Sequence, residues 1–311
     1  AYLARELAAR GHEVLAIDNY ARGRPARLAD APANLVPVVA DVRDEAALTQ
    51  HFAGLDAVFH LAAINGTENF YKRPQLVLDV GVRGVLAVAE ACNAAGVATL
   101  IAASSAEVYQ TPAVVPTDES VPLVLPDSLN PRYSYGGSKI VTELVAFNYC
   151  RDTVAQVQCF RPHNVYGPDM GWKHVIPQLI GKIEAALTDG SNRIELQGDG
   201  SETRAFCYVD DVVSGILTMW ERGAHMNVYH IGSDQEVSIA TLVRTIAKAM
   251  GAEIAVVAGP APEGATPRRC PDIGKMRALG YDPAVSLEEG VARTVAWYRA
   301  NPRPADAGEL L

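Results

Sequence analysis

Five short apolar runs, separated by turns and by segments with helical periodicity, constrain the fold of this chain most strongly. Runs of this kind, without polar alternation, are typical of strands buried on both faces of a parallel sheet. The alternation of strand and helix predicts an α/β fold with a doubly wound parallel sheet. The runs occupy residues 13–19, 35–41, 57–63, 99–105 and 156–162, and helix-like segments occupy 75–95 and 135–149.

The alternation loosens beyond residue 167, where Gly and Pro separate shorter elements. We expect residues 168–299 to form a smaller C-terminal lobe over the carboxyl ends of the sheet, where open α/β sheets bind ligands. The chain should cross between this lobe and the domain formed by residues 1–167, and residues 300–311 should form a tail. The lobe's predicted elements are helices at 176–187, 239–250 and 287–299 and strands at 193–197, 228–232 and 254–257.

The charge balance disfavours binding to nucleic acid or to an anionic membrane surface. The 311 residues include 27 Lys and Arg and 36 Asp and Glu, which gives a formal net charge of −9, so no broad basic surface is expected. No apolar run approaches the ~20 residues of a membrane-spanning helix. Five scattered cysteines, with neither a CxxC pair nor a metal-binding spacing, indicate free thiols in the cytoplasm. These are Cys92, Cys150, Cys159, Cys207 and Cys270.

Tyr135 and Lys139 form the strongest local chemical signal, in the segment YGGSK at 135–139. Residues four apart lie on one face of a helix, so the ammonium of Lys139 can lower the pKa of the phenol. A phenol needs that help to act as a general base near neutral pH. Tyr and Lys also meet at this spacing on many solvated helices, so the pair alone is weak evidence for a catalytic site.

Two serines strengthen this interpretation, because Ser104 and Ser105 end the apolar run that precedes the Tyr135 helix. A hydroxyl at the carboxyl end of a strand lies in the ligand crevice of an α/β sheet. We expect Ser105 to work beside Tyr135 on a reacting hydroxyl group. The alternative is that both serines simply terminate the strand.

Two acidic positions predict a dinucleotide site. Asp18 and Asn19 end the first apolar run, where an acid accepts hydrogen bonds from the adenosine ribose and repels a 2′-phosphate, which favours NAD over NADP. Asp41 and Val42 end the next run and could meet the adenine edge, although Asp also commonly begins a turn. Arg22 and Arg24 lie nearby and weaken the argument against NADP.

Taken together, these segments resemble the extended short-chain dehydrogenase/reductases of the nucleotide-sugar epimerase/dehydratase group. The resemblance covers essentially the whole chain, and its motifs occur in the family's order. They are VLAIDN at 14–19, ADV at 40–42, VFHLAA at 58–63, SSAEVY at 104–109, YGGSK at 135–139, RPHNVYGP at 161–168, GDGSETRAFCYVDDVVSGI at 198–216 and NVYHIGS at 227–233. The family's GxxGxxG turn is not in this sequence, which opens in the pattern of a helix ended by Gly11, so we expect further residues before Ala1.

The resemblance implies a Rossmann-type domain, NAD, a nucleotide-sugar substrate and a homodimer built from the helices around 75–95 and 135–150. It further implies residue roles. NAD would contact Asp18, Asp41 and Val42 at its adenosine half, Leu61, Ala62 and Ala63 on its underside, and Tyr135, Lys139 and Pro162 around the nicotinamide ribose. The substrate would meet Asn164 and Arg204, with Arg269, His174 and Lys173 as further candidates. Gly81 stands where the family usually has Asn.

The resemblance also implies the reaction, which begins with oxidation of the sugar at C4 to a keto intermediate. Dehydratases of the family carry an Asp-Glu pair after the serine, whereas this chain has Ala106 and Glu107. We therefore expect epimerisation, most simply at C4. Glu107 leaves C5 epimerisation, 4,6-dehydration and decarboxylation open, and it could equally form a structural salt bridge. A non-catalytic protein that senses NAD or a nucleotide sugar is the remaining alternative.

Overall fold

The structure, a computed structural model, describes residues 1–260 and 267–302. Its strands are β1 Val14–Asp18, β2 Leu35–Val39, β3 Ala57–His60, β4 Thr99–Ala103, β5 Gln156–Pro162, β6 Val165–Tyr166, β7 Arg193–Glu195, β8 Thr203–Ala205, β9 Cys207–Tyr208, β10 Asn227–Ile231, β11 Glu236–Ser238, β12 Ala255–Val257 and β13 Arg268–Arg269.

The α-helices are α1 Tyr2–Ala9, α2 Glu45–Phe52, α3 Thr67–Lys72, α4 Pro74–Leu78, α5 Gly84–Ala95, α6 Ser134–Tyr149, α7 Val175–Thr188, α8 Val209–Arg222, α9 Ile239–Ala249, α10 Gly274–Arg277 and α11 Leu287–Ala300. A π-helical turn at Asp79–Arg83 joins α4 to α5, and short 3₁₀ helices lie at Pro25–Leu28, Ala106–Tyr109 and Pro131–Tyr133.

All five predicted strands of the first domain form, and all pair in parallel, which confirms the α/β class. They divide between two sheets: β1 pairs with β2, and β3, β4 and β5 belong to a four-stranded sheet of order β10-β5-β4-β3. Most of these strands end earlier than predicted. The run predicted over 99–105 ends at Ala103 because Ser105 already caps the following 3₁₀ helix.

Helices cover both faces of the four-stranded sheet, as a doubly wound architecture requires. Leu100 and Ala102 of β4 pack against the buried faces of α5 and α6. The intervening residues, Ile101 and Ala103, pack against α1 and α8. Alternate residues of a strand point to opposite faces, so a continuous apolar run is what a central strand needs. All five residues of β4 are buried.

The strand predicted at 228–232 was assigned by its sequence position to the smaller lobe, whereas β10 pairs with β5 in the main sheet. The chain therefore returns to the first domain after entering the lobe. Helix α8, which packs against the same sheet, is not among the elements predicted from the sequence. Its apolar positions, Val212, Val213, Ile216 and Leu217, have helical spacing and were available as a signal.

The smaller lobe has an apolar core of its own, to which α7, α9 and α11 contribute Ile180, Leu242 and Val291. The predicted helices at 176–187, 239–250 and 287–299 form within one or two residues of those bounds. Residues 303–311 of the predicted tail lie outside the described residues.

Three further observations bear on the sequence expectations. Helix α1 ends before Gly11, whose φ of +90° is the left-handed conformation predicted for it. All five cysteines are free and buried. Within residues 1–260 and 267–302, no helix combines the length and apolar character needed to cross a bilayer.

Candidate active site

The predicted catalytic side chains meet where β4 ends and α6 begins. Tyr135 lies in the first turn of α6 and is only 8% exposed. Its ring stacks on Phe70 of α3, with the ring centroids 5.1 Å apart and the planes inclined by 12°. Its phenol hydrogen-bonds Ser105. The strand end and the helix start therefore bring together two groups that lie thirty positions apart in the sequence.

Burial raises the pKa of Tyr135 to about 12. The hydrogen bond with Ser105 and the nearby guanidinium of Arg22 oppose this rise, whereas the carboxylate of Glu107 adds to it. The expectation of a lowered phenol pKa is therefore wrong, because desolvation outweighs the opposing contacts. The phenol is protonated at neutral pH.

Lys139 lies one turn further along α6 and is 2% exposed. Its ammonium donates a 2.7 Å hydrogen bond to the carbonyl of Ala103 and lies 5.8 Å from the centroid of the Tyr135 ring. Desolvation lowers the pKa of Lys139 to about 8. The side chain thus supplies a cation beside the phenol up to mildly alkaline pH.

Ser105 both terminates its strand and lies beside Tyr135, as the two interpretations of its position predict. Its hydroxyl oxygen accepts a 3.1 Å hydrogen bond from the amide of Glu107 and caps the 3₁₀ helix, so it does terminate the strand. The same hydroxyl contacts the Tyr135 phenol. The cap fixes the hydroxyl in the orientation in which it meets the phenol.

Glu107 is held between two guanidinium groups. One carboxylate oxygen accepts a 2.7 Å hydrogen bond from Arg269, and the other lies 3.3 Å from a terminal nitrogen of Arg132. Burial alone would raise the pKa of Glu107, but the charges and hydrogen bonds of Arg269 and Arg132 prevail and lower it. The group is a carboxylate at neutral pH with both oxygens engaged.

Arg204 and Arg269 are neighbours in the smaller lobe, because they are register partners on the parallel strands β8 and β13. Burial and the charge of Arg269 lower the pKa of Arg204. Two adjacent, partly desolvated guanidiniums form a favourable site for a phosphate group. Asn164, at φ +39°, donates a 3.0 Å hydrogen bond to the carbonyl of Ala205 next to Arg204.

The predicted acidic residues lie at the carboxyl ends of β1 and β2. The side chain of Asn19 donates a 2.9 Å hydrogen bond to Asp41, which also forms an ion pair of 2.7 Å with Arg43. The hydrogen bond from Arg43 contributes most to lowering the pKa of Asp41. Asp18 accepts a 2.7 Å hydrogen bond from the amide of Tyr20. These contacts bring two carboxylates to one edge of the sheet.

Apolar side chains surround the space between these acids and Tyr135. Leu61 and Ala62 follow β3 and are exposed, whereas Ala63 is half-buried. Val42 and Ala63 pack against the apolar cluster that contains Tyr135. Pro162 ends β5. The exposed apolar surface after β3 offers a flat face at the carboxyl edge of the sheet.

Lys173 and His174, the two candidates in the segment GWKHVIP at 171–177, have different surroundings. Lys173 pairs with Glu68 of α3 at 2.5 Å. His174 precedes α7, and burial together with the charge of Arg22 lowers its pKa. Arg22 is thus close to both His174 and Tyr135. Of the two candidates, His174 belongs to the region of the site.

Sequence reasoning missed several contributors to the site. Arg132 binds Glu107, and Phe70 stacks on Tyr135, with the guanidinium of Arg132 5.6 Å above the Phe70 ring. Arg24, considered near the ribose, instead pairs with Asp169. The position of Arg132, three residues before Tyr135, was a usable signal, whereas Phe70 carried none.

The fold and site define an extended short-chain dehydrogenase/reductase. The model of the NAD dependent epimerase/dehydratase family matches residues 1–232, and the chain belongs to this family of NAD-dependent enzymes.

Relatives with different activities are similar over nearly the whole chain. The UDP-glucose 4-epimerase of Mycolicibacterium smegmatis is 32% identical over 96% of this chain and 94% of its own length. The UDP-N-acetyl-alpha-D-glucosaminuronate decarboxylase of Bacillus cytotoxicus is 29% identical over 96% and 94%. The solved dTDP-glucose 4,6-dehydratase of Streptomyces venezuelae, which has NAD bound, is 31% identical over 96% of this chain and 93% of its own, with a TM-score of 0.83.

The hydrogen-bonding groups and the apolar surface at the site fit NAD. Carboxylates such as Asp18 and Asp41 accept hydrogen bonds from ribose hydroxyls and from an adenine amino group. The exposed apolar surface after β3 can lie against a flat ring, and Lys139 supplies a donor beside Tyr135. The family's cofactor therefore matches the chemistry of the residues at this edge of the sheet.

Proposed function

We propose that the protein epimerises a nucleoside-diphosphate sugar at C4 through a 4-keto intermediate. The observation that carries the proposal is the convergence of Tyr135, Ser105 and Lys139, with no second available acid–base pair beside them among residues 1–260 and 267–302. Ala106 has no proton to give, and both oxygens of Glu107 are bound by guanidiniums. A reaction that needs only one proton-transfer group is the one that this set of residues supports best.

Each residue then has a stated part in the reaction. Tyr135 takes the proton of the C4 hydroxyl in its phenolate form, which requires the bound complex to lower the phenol pKa from about 12, and Ser105 shares the hydrogen bond to that oxygen. Lys139 stabilises the phenolate by its charge. NAD, when bound, would take the hydride from C4 and return it to the other face. After the keto sugar has turned over, Tyr135 returns the proton to the C4 oxygen.

The substrate's diphosphate is proposed to bind between the two lobes. Arg204 and Arg269 present neighbouring guanidiniums, Asn164 lies beside Arg204 through its hydrogen bond to Ala205, and His174 is proposed as a further hydrogen-bonding group. Arg269 already binds Glu107, and because a guanidinium has five N–H donors it can bind a diphosphate while it keeps that partner. The domain boundary near residue 167 is part of this proposal, because it separates the NAD-binding residues from most of the substrate-binding ones.

Glu107 supports a second candidate function. Its carboxylate lies within electrostatic reach of Tyr135, and a base at that place could take the C5 proton beside a 4-keto group. C5 epimerisation, dehydration or decarboxylation would follow. One relative of this chain is a UDP-N-acetyl-alpha-D-glucosaminuronate decarboxylase. This candidate requires Glu107 to leave one of its two arginine partners.

Product analysis separates these candidates. We would incubate the full-length protein, with NAD, with UDP-, GDP-, dTDP- and CDP-sugars that include UDP-glucuronate, and follow products by mass spectrometry and proton NMR. An isomer of unchanged mass, inverted at C4, is expected. Loss of water or of carbon dioxide would refute epimerisation and favour the second candidate. A protein that never reduces NAD at 340 nm with any sugar would be a sensor instead.

The protein is further proposed to act as a homodimer in the cytoplasm. Large apolar side chains remain exposed on the helices expected at the interface, including Leu144 and Tyr149 of α6 and Leu78 of α4. A second copy that packs on these helices would cover them in a four-helix bundle. Five free, buried thiols fit a reducing compartment.

A further inference from the structure

A buried ion pair lies directly behind the candidate catalytic residues. Glu143 and Arg161 are 5% and 3% exposed. Two nitrogens of the guanidinium donate to the two carboxylate oxygens at 2.7 and 2.6 Å. Taking two charges out of water is costly even when they pair well, and such pairs are weak evidence for stability. The position of this pair therefore calls for another reason.

The pair contacts every element that carries a candidate catalytic group. Glu143 lies on α6, two turns beyond Tyr135 and one beyond Lys139, and it accepts a 2.5 Å hydrogen bond from Ser104, the neighbour of Ser105. These contacts join the helix that holds the phenol to the strand end that holds the serine hydroxyl.

Arg161 makes the remaining connections. It lies on β5, immediately before Pro162, and its guanidinium also donates to the Tyr109 hydroxyl. Tyr109 ends the 3₁₀ helix that carries Glu107, and its hydroxyl lies 2.7 Å from His230 of β10. The network therefore spans the carboxyl ends of three neighbouring strands and the helix that follows β4.

We propose that Glu143 and Arg161 are positioning residues that hold Ser105 and the 3₁₀ helix in register with Tyr135 and Lys139. The proposal rests on the proposed proton-transfer function of Tyr135. Neither residue hydrogen-bonds the phenol or the serine hydroxyl itself, and both act through Ser104 and Tyr109, while the charge of Glu143 also opposes the lowering of the Lys139 pKa. A displacement of about 1 Å at a reacting centre can slow a reaction by ~100-fold, so a rigid link at this place affects turnover.

Two variants separate positioning from stability. Glu143→Leu combined with Arg161→Met replaces the ion pair by apolar side chains of similar size, which buried pairs often tolerate without loss of stability. Ser104→Ala leaves the ion pair intact and removes only its link to β4. Glu184→Gln, on the exposed face of α7, is the matched control for loss of a carboxylate.

We expect the double variant to melt near the wild-type temperature while kcat falls at least tenfold and KM for the nucleotide sugar stays within about threefold. Ser104→Ala should show a smaller fall in kcat, and Glu184→Gln none. A folded double variant with wild-type kcat would overturn the proposal. A parallel rise in KM and fall in melting temperature, with kcat unchanged, would instead assign the pair a purely structural role.

Crystal structures of the same variants test the inference independently of activity. We expect the hydrogen bond between Tyr135 and Ser105 to be lost or lengthened in the double variant and kept in Glu184→Gln. Native geometry in the double variant would refute positioning even if no sugar proved to be a substrate. Failure of the wild-type protein to convert any sugar, with the geometry altered as expected, would refute the proposed function alone.

Discussion

Gly81 packs so closely against Ser138 that a β-carbon added at Gly81 would lie 2.7 Å from both the Cβ and the Oγ of Ser138. Gly81 belongs to the π-helical turn between α4 and α5, and Ser138 lies between Tyr135 and Lys139 on α6. The hydroxyl of Ser138 donates a 2.8 Å hydrogen bond to the carbonyl of Tyr135. The space that an asparagine side chain would need at Gly81 is thus occupied by the helix that carries the candidate base.

Gly81→Ala should destabilise the protein by about 1–3 kcal/mol, because overpacking forces two helices apart. Urea denaturation measures the loss. Gly181→Ala on α7 is the control, since a β-carbon there meets nothing within 4 Å and alanine favours the helix. Adding Ser138→Gly to Gly81→Ala should restore much of the lost stability, because it removes the side chain that the new β-carbon meets. A Gly81→Ala variant as stable as the wild type would show that α6 can move away from Gly81 at no cost in free energy.

Tyr135→Phe should lower kcat by about 10²–10⁴-fold, because the ring and its stacking on Phe70 remain while the proton-transfer group is lost. Steady-state rates and circular dichroism are measured together, and NAD binding is expected to persist. Tyr149→Phe, at the exposed end of α6, is the matched control and should be fully active. Near-normal turnover by Tyr135→Phe would remove Tyr135 from the mechanism.

Glu107→Gln should keep kcat within about threefold and yield the same isomeric product, because a C4 epimerase needs no second base. Stability should fall by about 1–3 kcal/mol, since Arg269 and Arg132 lose charged hydrogen-bond partners. Glu289→Gln removes a comparable but exposed partner of Arg293 and should change neither kcat nor stability. NADH that forms normally without any product release would instead identify Glu107 as the base for a C5 proton.

These groups differ in how far the sequence could predict them. Tyr135 and Lys139 were found because helical spacing brings residues four apart together, and Ser105 because strands of a parallel sheet end at one edge. Local rules of this kind also predicted the five parallel strands of the first domain and the three helices of the smaller lobe.

The ion pairs that lower the pKa of Glu107 and keep it a carboxylate could not be predicted from such local rules. Arg269 lies 162 positions from Glu107 and meets it only because β13 pairs with β8 beside the main sheet. Contacts between distant elements depend on the whole fold. Burial acts similarly, because the raised pKa of Tyr135 follows from the packing of α3 over the phenol ring, which no local pattern reveals.

Leu144→Lys should convert the proposed homodimer to a monomer of 33.2 kDa, because a charge on α6 cannot be buried in a helical bundle without a partner. Leu144 is 56% exposed in the single chain, so the substitution should not disturb folding. Size-exclusion chromatography with light scattering measures the mass. Leu187→Lys, a similarly exposed leucine on α7, should leave the dimer intact. A wild-type protein that is already monomeric would refute the dimer.

Lys139 should make stability rise with pH over an alkaline window. Its pKa is about 8 in the folded protein and 10.5 as the ordinary value, so between these values the unfolded chain binds more protons and rising pH favours the folded state. From pH 7 to 9.5 the wild type should gain about 2 kcal/mol relative to Lys139→Met, at about 1.4 kcal/mol per pH unit above pH 8.

Urea denaturation of both proteins at the two pH values measures this difference, and the comparison cancels the titration of other groups. Lys248→Met, on the exposed face of α9, is the control and should show no such difference. If Lys139→Met followed the wild type in parallel at both pH values, the ammonium would not be desolvated in the folded protein. Lys139 would then remain charged from pH 7 to 9.5. It could stabilise a Tyr135 phenolate over that whole range rather than only up to about pH 8.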